Sequence, residues 1–164
     1  MFQNMVRDWF ALEEPGYNNF IKALLMDDVD AMNEYMNRVA MVTFSYFDTG
    51  KRPSGEEPER FYHGFVLGLM VDLAGRYTIQ SNRESVFGRY DVMMEPLNEQ
   101  DDAIILEFKV FRPRKESCLE DTVKNALEQI EKENYAATLM AKGIPATRIR
   151  KYGFAFRGKE VLIG

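Results

Sequence analysis

The segment Ala103-Ile-Ile-Leu-Glu-Phe-Lys-Val-Phe111 constrains the fold more than any other part of the chain, because it sets two charges into an otherwise apolar run. Side chains alternate across a strand, so Glu107 and Lys109 share one face while Phe108 turns to the other, toward a core. A buried carboxylate or ammonium is costly enough to be kept chiefly where it has a partner or a metal ion. Asp91, in Gly-Arg-Tyr-Asp91 shortly upstream, is the expected third member of such a site. On these residues alone two readings stand: a structural network of buried ion pairs, or a metal centre.

The rest of the chain supplies a setting for that strand. Apolar residues at three- and four-residue steps predict helices over 17–25, 28–44 and 56–73, with a turn-rich loop over 48–55 between the last two. Phe2, Met5, Trp9 and Phe10 suggest a further short helix at the start. Strands are expected over 77–81, 90–95 and 103–111. A helix over 119–142 follows, ending at Gly143 with Pro145 beyond, and strands over 149–157 and 160–163 form a hairpin around Gly158-Lys159.

Composition narrows the class. Hydrophobic residues at 46% and aromatics at 13% indicate a folded protein. Cys118 is the only cysteine and His63 the only histidine, which excludes a disulfide framework and any cysteine- or histidine-rich metal site. The absence of an apolar run of spanning length and of a basic-then-apolar leader points to a cytoplasmic protein without a membrane segment. Charge is unevenly spread. Residues 1–102 carry 9 Lys or Arg against 18 Asp or Glu, whereas residues 103–164 carry 12 against 8, so the net −5 hides a basic C-terminal part. Arg112, Arg114 and Lys115 beside an acidic site suit a phosphodiester, and equally suit a solvated loop. No Gly-x-x-x-x-Gly-Lys-Ser/Thr stretch occurs, so no nucleotide hydrolysis of that kind is expected.

A wider set of motifs runs through the last two-thirds of the chain in order: Phe61-Tyr-His-Gly-Phe-Val-Leu-Gly-Leu69, Ser81-Asn-Arg-Glu84, Gly88-Arg-Tyr-Asp91, Glu107-Phe-Lys109, Ala126-Leu-Glu-Gln-Ile130 with Tyr135, and Tyr152-Gly-Phe-Ala-Phe156 with Lys159. This set resembles the PD-(D/E)xK nuclease superfamily, in particular a bacterial branch whose nuclease-like domain usually follows an AAA-like ATPase domain. The resemblance implies an α/β protein with a restriction-endonuclease-like core, a mixed central sheet flanked by helices in the order αβββαββ. That core would occupy residues 56–164, behind a helical extension or linker over residues 1–55. An ATPase would then belong to a longer parent protein, and the apolar stripe of the 28–44 helix would face that missing domain or form a homodimer.

The implied chemistry is metal-dependent hydrolysis of nucleic acid, with DNA the expected substrate. Mg²⁺ prefers oxygen ligands, which Asp91 and Glu107 supply, and Mn²⁺ is expected to substitute. The resemblance adds the backbone carbonyl of Phe108, Glu59 as a further acid at the start of its helix, and Gln129 from a Gln...Tyr element beside the active site. Lys109 would orient the attacking water or neutralise developing charge. On one continuous helix Gln129 and Tyr135 would stand about 240° apart, so Gln129 is the candidate and Tyr135 a packing residue. The competing function is a non-catalytic module that keeps the fold but contacts nucleic acid, the ATPase or another protein. The intact Asp-Glu-Lys set favours the enzyme, and the acidic net charge favours the module.

Overall fold

The strand that carries the two charges is the third of five and lies at the middle of the sheet. The computed structural model describes residues 17–47, 57–82 and 90–164. The expected first helix, the 48–55 loop and the turn holding Glu84 and Gly88 lie outside them. The sheet comprises β1 (Tyr77–Asn82), β2 (Tyr90–Pro96), β3 (Ala103–Val110), β4 (Ile149–Arg157) and β5 (Glu160–Ile163) in chain order. Neighbours are antiparallel except β3 and β4, which run parallel. Parallel pairing needs a crossover, and the helices α4 (Leu119–Lys132) and α5 (Tyr135–Ala141) provide it. Ahead of the sheet come α1 (Tyr17–Leu25), α2 (Val29–Phe47) and α3 (Glu57–Met70), the last tightening into a 3-10 turn over Val71–Leu73. Order and sheet are those expected of a restriction-endonuclease-like core.

Both faces of β3 are covered, and its alternation divides the interior. Ile104, Leu106 and Phe108 join the larger core, with Phe20, Met32 and Met36 from the first two helices and Tyr62, Val66 and Leu69 from α3. Aromatic rings order this side: Tyr62 stacks on Phe156 at 4.2 Å, and Phe108 lies parallel to Phe156 at 6.0 Å. Ala103 and Ile105 turn the other way, into a smaller core with Ile130 and Leu139. Glu107 and Lys109 follow the parity of this second face. α4 comes close there because Gly153 of β4 has no side chain. A Cβ at that position would meet the Val123 carbonyl oxygen at 2.8 Å and the Ala126 Cβ at 2.9 Å.

The helical segment ahead of α3 is built into the sheet rather than laid beside it. Asn33 and Asn37, one turn apart on α2, treat the outer edge of β5 as a neighbouring strand would. The Asn33 amide donates to the Ile163 carbonyl (2.9 Å) and its oxygen accepts from the Ile163 N–H (2.7 Å). Asn37 does the same with Val161, at 2.7 and 2.9 Å. At the other end of the pair, the Arg150 guanidinium donates to the Leu24 and Leu25 carbonyls, closing the C-terminus of α1. The Tyr152 hydroxyl donates to Asp27 in the left-handed turn that follows (φ 57°).

One expected element is divided. The 119–142 helix breaks after Lys132, because Asn134 adopts a left-handed conformation (φ 55°) and α5 starts anew at Tyr135. Asparagine tolerates that region better than most side chains, and the helical spacing on either side conceals the break. The angular comparison of Gln129 with Tyr135 therefore does not apply, since the two sit on different helices. Tyr135 packs against the smaller core.

Candidate active site

Glu107 is the centre of the site. The antiparallel register sets Asp91 directly across from it on β2, and the parallel register sets Gly153 across from it on β4. Position 91 shares the face of Met93 and Ile105; its side chain, like that of Glu59 in the first turn of α3, lies outside the described residues. Glu107 is fully buried, and neither carboxylate oxygen accepts a hydrogen bond from the described residues. A carboxylate with two orphaned oxygens in a packed interior is a strong local demand for a cation. On the β4 side its register partner, Gly153, has no side chain, and α4 packs directly over that position.

Fit to a divalent ion rests on that carboxylate and on the acid opposite. Among the described residues, no three His, Cys, Asp or Glu side chains gather into a cage. The donor set is all oxygen, the chemistry a hard cation prefers. Phe108, whose carbonyl is the third candidate ligand, lies between Glu107 and Lys109. Its ring is locked between Phe154 (5.0 Å) and Phe156 (6.0 Å), which holds the backbone of the site strand in place.

Lys109 sits two residues further along the same face, half-buried, where the sheet opens into a cleft of about 250 Å³ between the end of β3 and α4. Gln129 lines the same cleft, so the structure brings Lys109 and Gln129 together from two elements. Gln129 is 8% exposed, and its amide donates to the Glu133 carboxylate at 2.9 Å. His63 is placed elsewhere. It bonds the Ser81 hydroxyl at 3.0 Å and lies edge-on to the Phe108 ring, on the face opposite Glu107.

Glu116, which also lines the cleft, was not foreseen from the sequence. Glu116 accepts from the Arg112 N–H (2.8 Å), the Thr122 hydroxyl (2.8 Å) and the Asn125 amide (2.6 Å). Burial pushes its carboxyl up, but these three hydrogen bonds and the Arg112 charge together outweigh burial and hold it below the usual range. The only local signal was an acid closing a basic run four residues after Arg112. Its links to Thr122 and Asn125 exist only once α4 folds back.

The site therefore combines a buried acid on the middle strand, a second acid opposite it, a lysine at the rim and a basic cleft beyond. Among the described residues no helix is long and apolar enough to cross a membrane. No curated protein matches the chain. A family profile matches residues 57–164, about two-thirds of the chain and every element from α3 onward, and with it the chain belongs to the PD-(D/E)XK nuclease superfamily.

Proposed function

We propose that this nuclease-family chain is a divalent-metal-dependent phosphodiesterase acting on DNA, with Asp91, Glu107 and Lys109 at its centre. The observation that carries this reading is the fully buried Glu107 carboxylate, both oxygens without a hydrogen bond among the described residues, on the face it shares with Lys109. Asp91 and Glu107 would hold the metal, Mg²⁺ in the first instance and Mn²⁺ as a substitute, with the Phe108 carbonyl as a further oxygen and Glu59 as an outer acid. When bound, such an ion supplies Lewis acidity toward a phosphoryl oxygen and a water. Lys109, at the mouth of the cleft, orients the nucleophile and offsets negative charge as it develops on the phosphoryl oxygens. Gln129 fixes the opposite wall through its bond to Glu133, and α4 keeps water from reaching Glu107 from behind. The motif set also supports an AAA-like ATPase domain as partner in a longer bacterial, cytoplasmic protein, with a homodimer as the other use of the apolar stripe on α2.

A non-catalytic module is the competing function, favoured by the net charge of −5. Titration calorimetry with Mg²⁺ and Mn²⁺, run on wild type and on a folded Asp91→Ala/Glu107→Ala variant beside cleavage assays on DNA and RNA, separates the two. The nuclease predicts metal binding lost in the variant and cleavage reduced at least about a thousandfold, equivalent to ~4 kcal/mol of transition-state stabilisation. Equal weak binding by both proteins with no cleavage by either would select the module.

A further inference from the structure

The cleft beyond Lys109 has a character that catalysis at Glu107 does not require. Arg112 and Lys115 reach it from the β3–α4 connection, and Lys132 from α4, where it continues the stripe of Asn125 and Gln129. All three cations are exposed, and none forms an ion pair within the described residues. Elsewhere on the surface Arg76, Lys142, Lys151 and Arg157 each pair with an acid, and Glu128, the second acid of the cleft, lies 3.9 Å from Lys124. Glu116, the acid nearest to Arg112, is occupied by one backbone and two neutral side-chain donors. Its role is to clamp the connection to α4 and so fix where Arg112 and Lys115 stand. Among the described residues no aromatic side chain lines the cleft, and Val110 is its one apolar wall. A base needs a ring or a flat apolar surface to stack on, whereas a phosphate needs convergent cations and amide donors.

We infer that this cleft is a subsite for the DNA phosphate backbone beside the cleaved bond, read without regard to base sequence, with Arg112, Lys115 and Lys132 as phosphate contacts and Glu116 as their positioning residue. The subsite rests on the nuclease reading for its place beside a scissile bond, but its binding is measurable without chemistry. Fluorescein-labelled duplexes of two unrelated sequences, titrated in EDTA at a series of salt concentrations, report affinity by anisotropy while cleavage is silent. Each phosphate contact contributes about 0.9 to the slope of log affinity against log salt, so Arg112→Gln/Lys115→Gln should make the slope shallower by about two on both sequences. Glu116→Gln should weaken binding of both duplexes in the same assay, although it makes the protein less acidic, because the positioned loop is lost. An unchanged slope in the folded double variant overturns the subsite, as does a change confined to one sequence. Wild type that binds in EDTA with the full slope yet never cleaves with metal leaves the subsite standing and removes the nuclease reading instead.

Discussion

At the scale of single residues, Glu107 decides between the two readings of the charged strand. If the carboxylate belonged to a structural ion pair, removing its charge would leave a buried cation unpaired and cost about 3–5 kcal/mol. If it waits for a metal, the metal-free carboxyl is desolvated without a hydrogen-bond partner among the described residues, and replacing it with a neutral amide should cost nothing or stabilise. Glu107→Gln is therefore expected to melt at or above wild type in EDTA, and to lose the rise in melting temperature that Mg²⁺ gives wild type. A lower melting temperature in EDTA would return the site to the structural reading. The alternation of a strand made the shared face of Glu107 and Lys109 legible from the sequence. The state of the carboxylate oxygens was not, because it depends on α4 lying over Gly153, and that helix begins 12 residues after Glu107.

At the scale of elements, the least expected feature is the capping of β5 by a helix. A short C-terminal strand exposes an edge of unpaired N–H and C=O groups, and Asn33 and Asn37 satisfy four of them from α2. Replacing Asn37 with Ala leaves both Val161 groups without their partner and should cost about 1–3 kcal/mol. Hydrogen exchange should quicken at the Val161 amide in this variant and at the Ile163 amide in Asn33→Ala. Unaltered exchange at both would show that water replaces the asparagines at no cost. Periodicity revealed α2 as a helix with an apolar stripe, but nothing in that pattern singled out its two asparagines. Only pairing with a strand more than 120 positions away gives them a purpose.

At the scale of the whole molecule, the larger core runs across the point where the family match begins. Phe20, Leu24, Met32 and Met36 are fully buried among residues of the matched segment, Phe154 and Tyr62 among them. Burying side chains of this size contributes about 1.5–3 kcal/mol each, so these four account for roughly 6–12 kcal/mol, comparable with the entire stability of a typical domain. A fragment of residues 57–164 is accordingly expected to lack a cooperative urea transition by circular dichroism, while the full chain shows one. A fragment that unfolds cooperatively, with a midpoint near that of the full chain, would make α1 and α2 an accessory rather than part of the core.

The local pattern of residues determined most of the elements of this chain. Strand alternation, helical spacing and turn residues are properties of neighbours, and β4 and β5 lie at the boundaries that pattern implies. Ordered motifs likewise sufficed to indicate the superfamily. The break at Asn134 escaped because a single left-handed residue leaves no periodic trace. What belonged to the tertiary structure alone is everything that joins distant segments: the closure of Glu107 by α4, the clamp of Glu116 on Thr122 and Asn125, the meeting of Lys109 with Gln129, and the edge of β5 held by α2. Burial and hydrogen-bond partnership are set by packing in space, and a linear pattern carries them only where the partners are also neighbours in the chain.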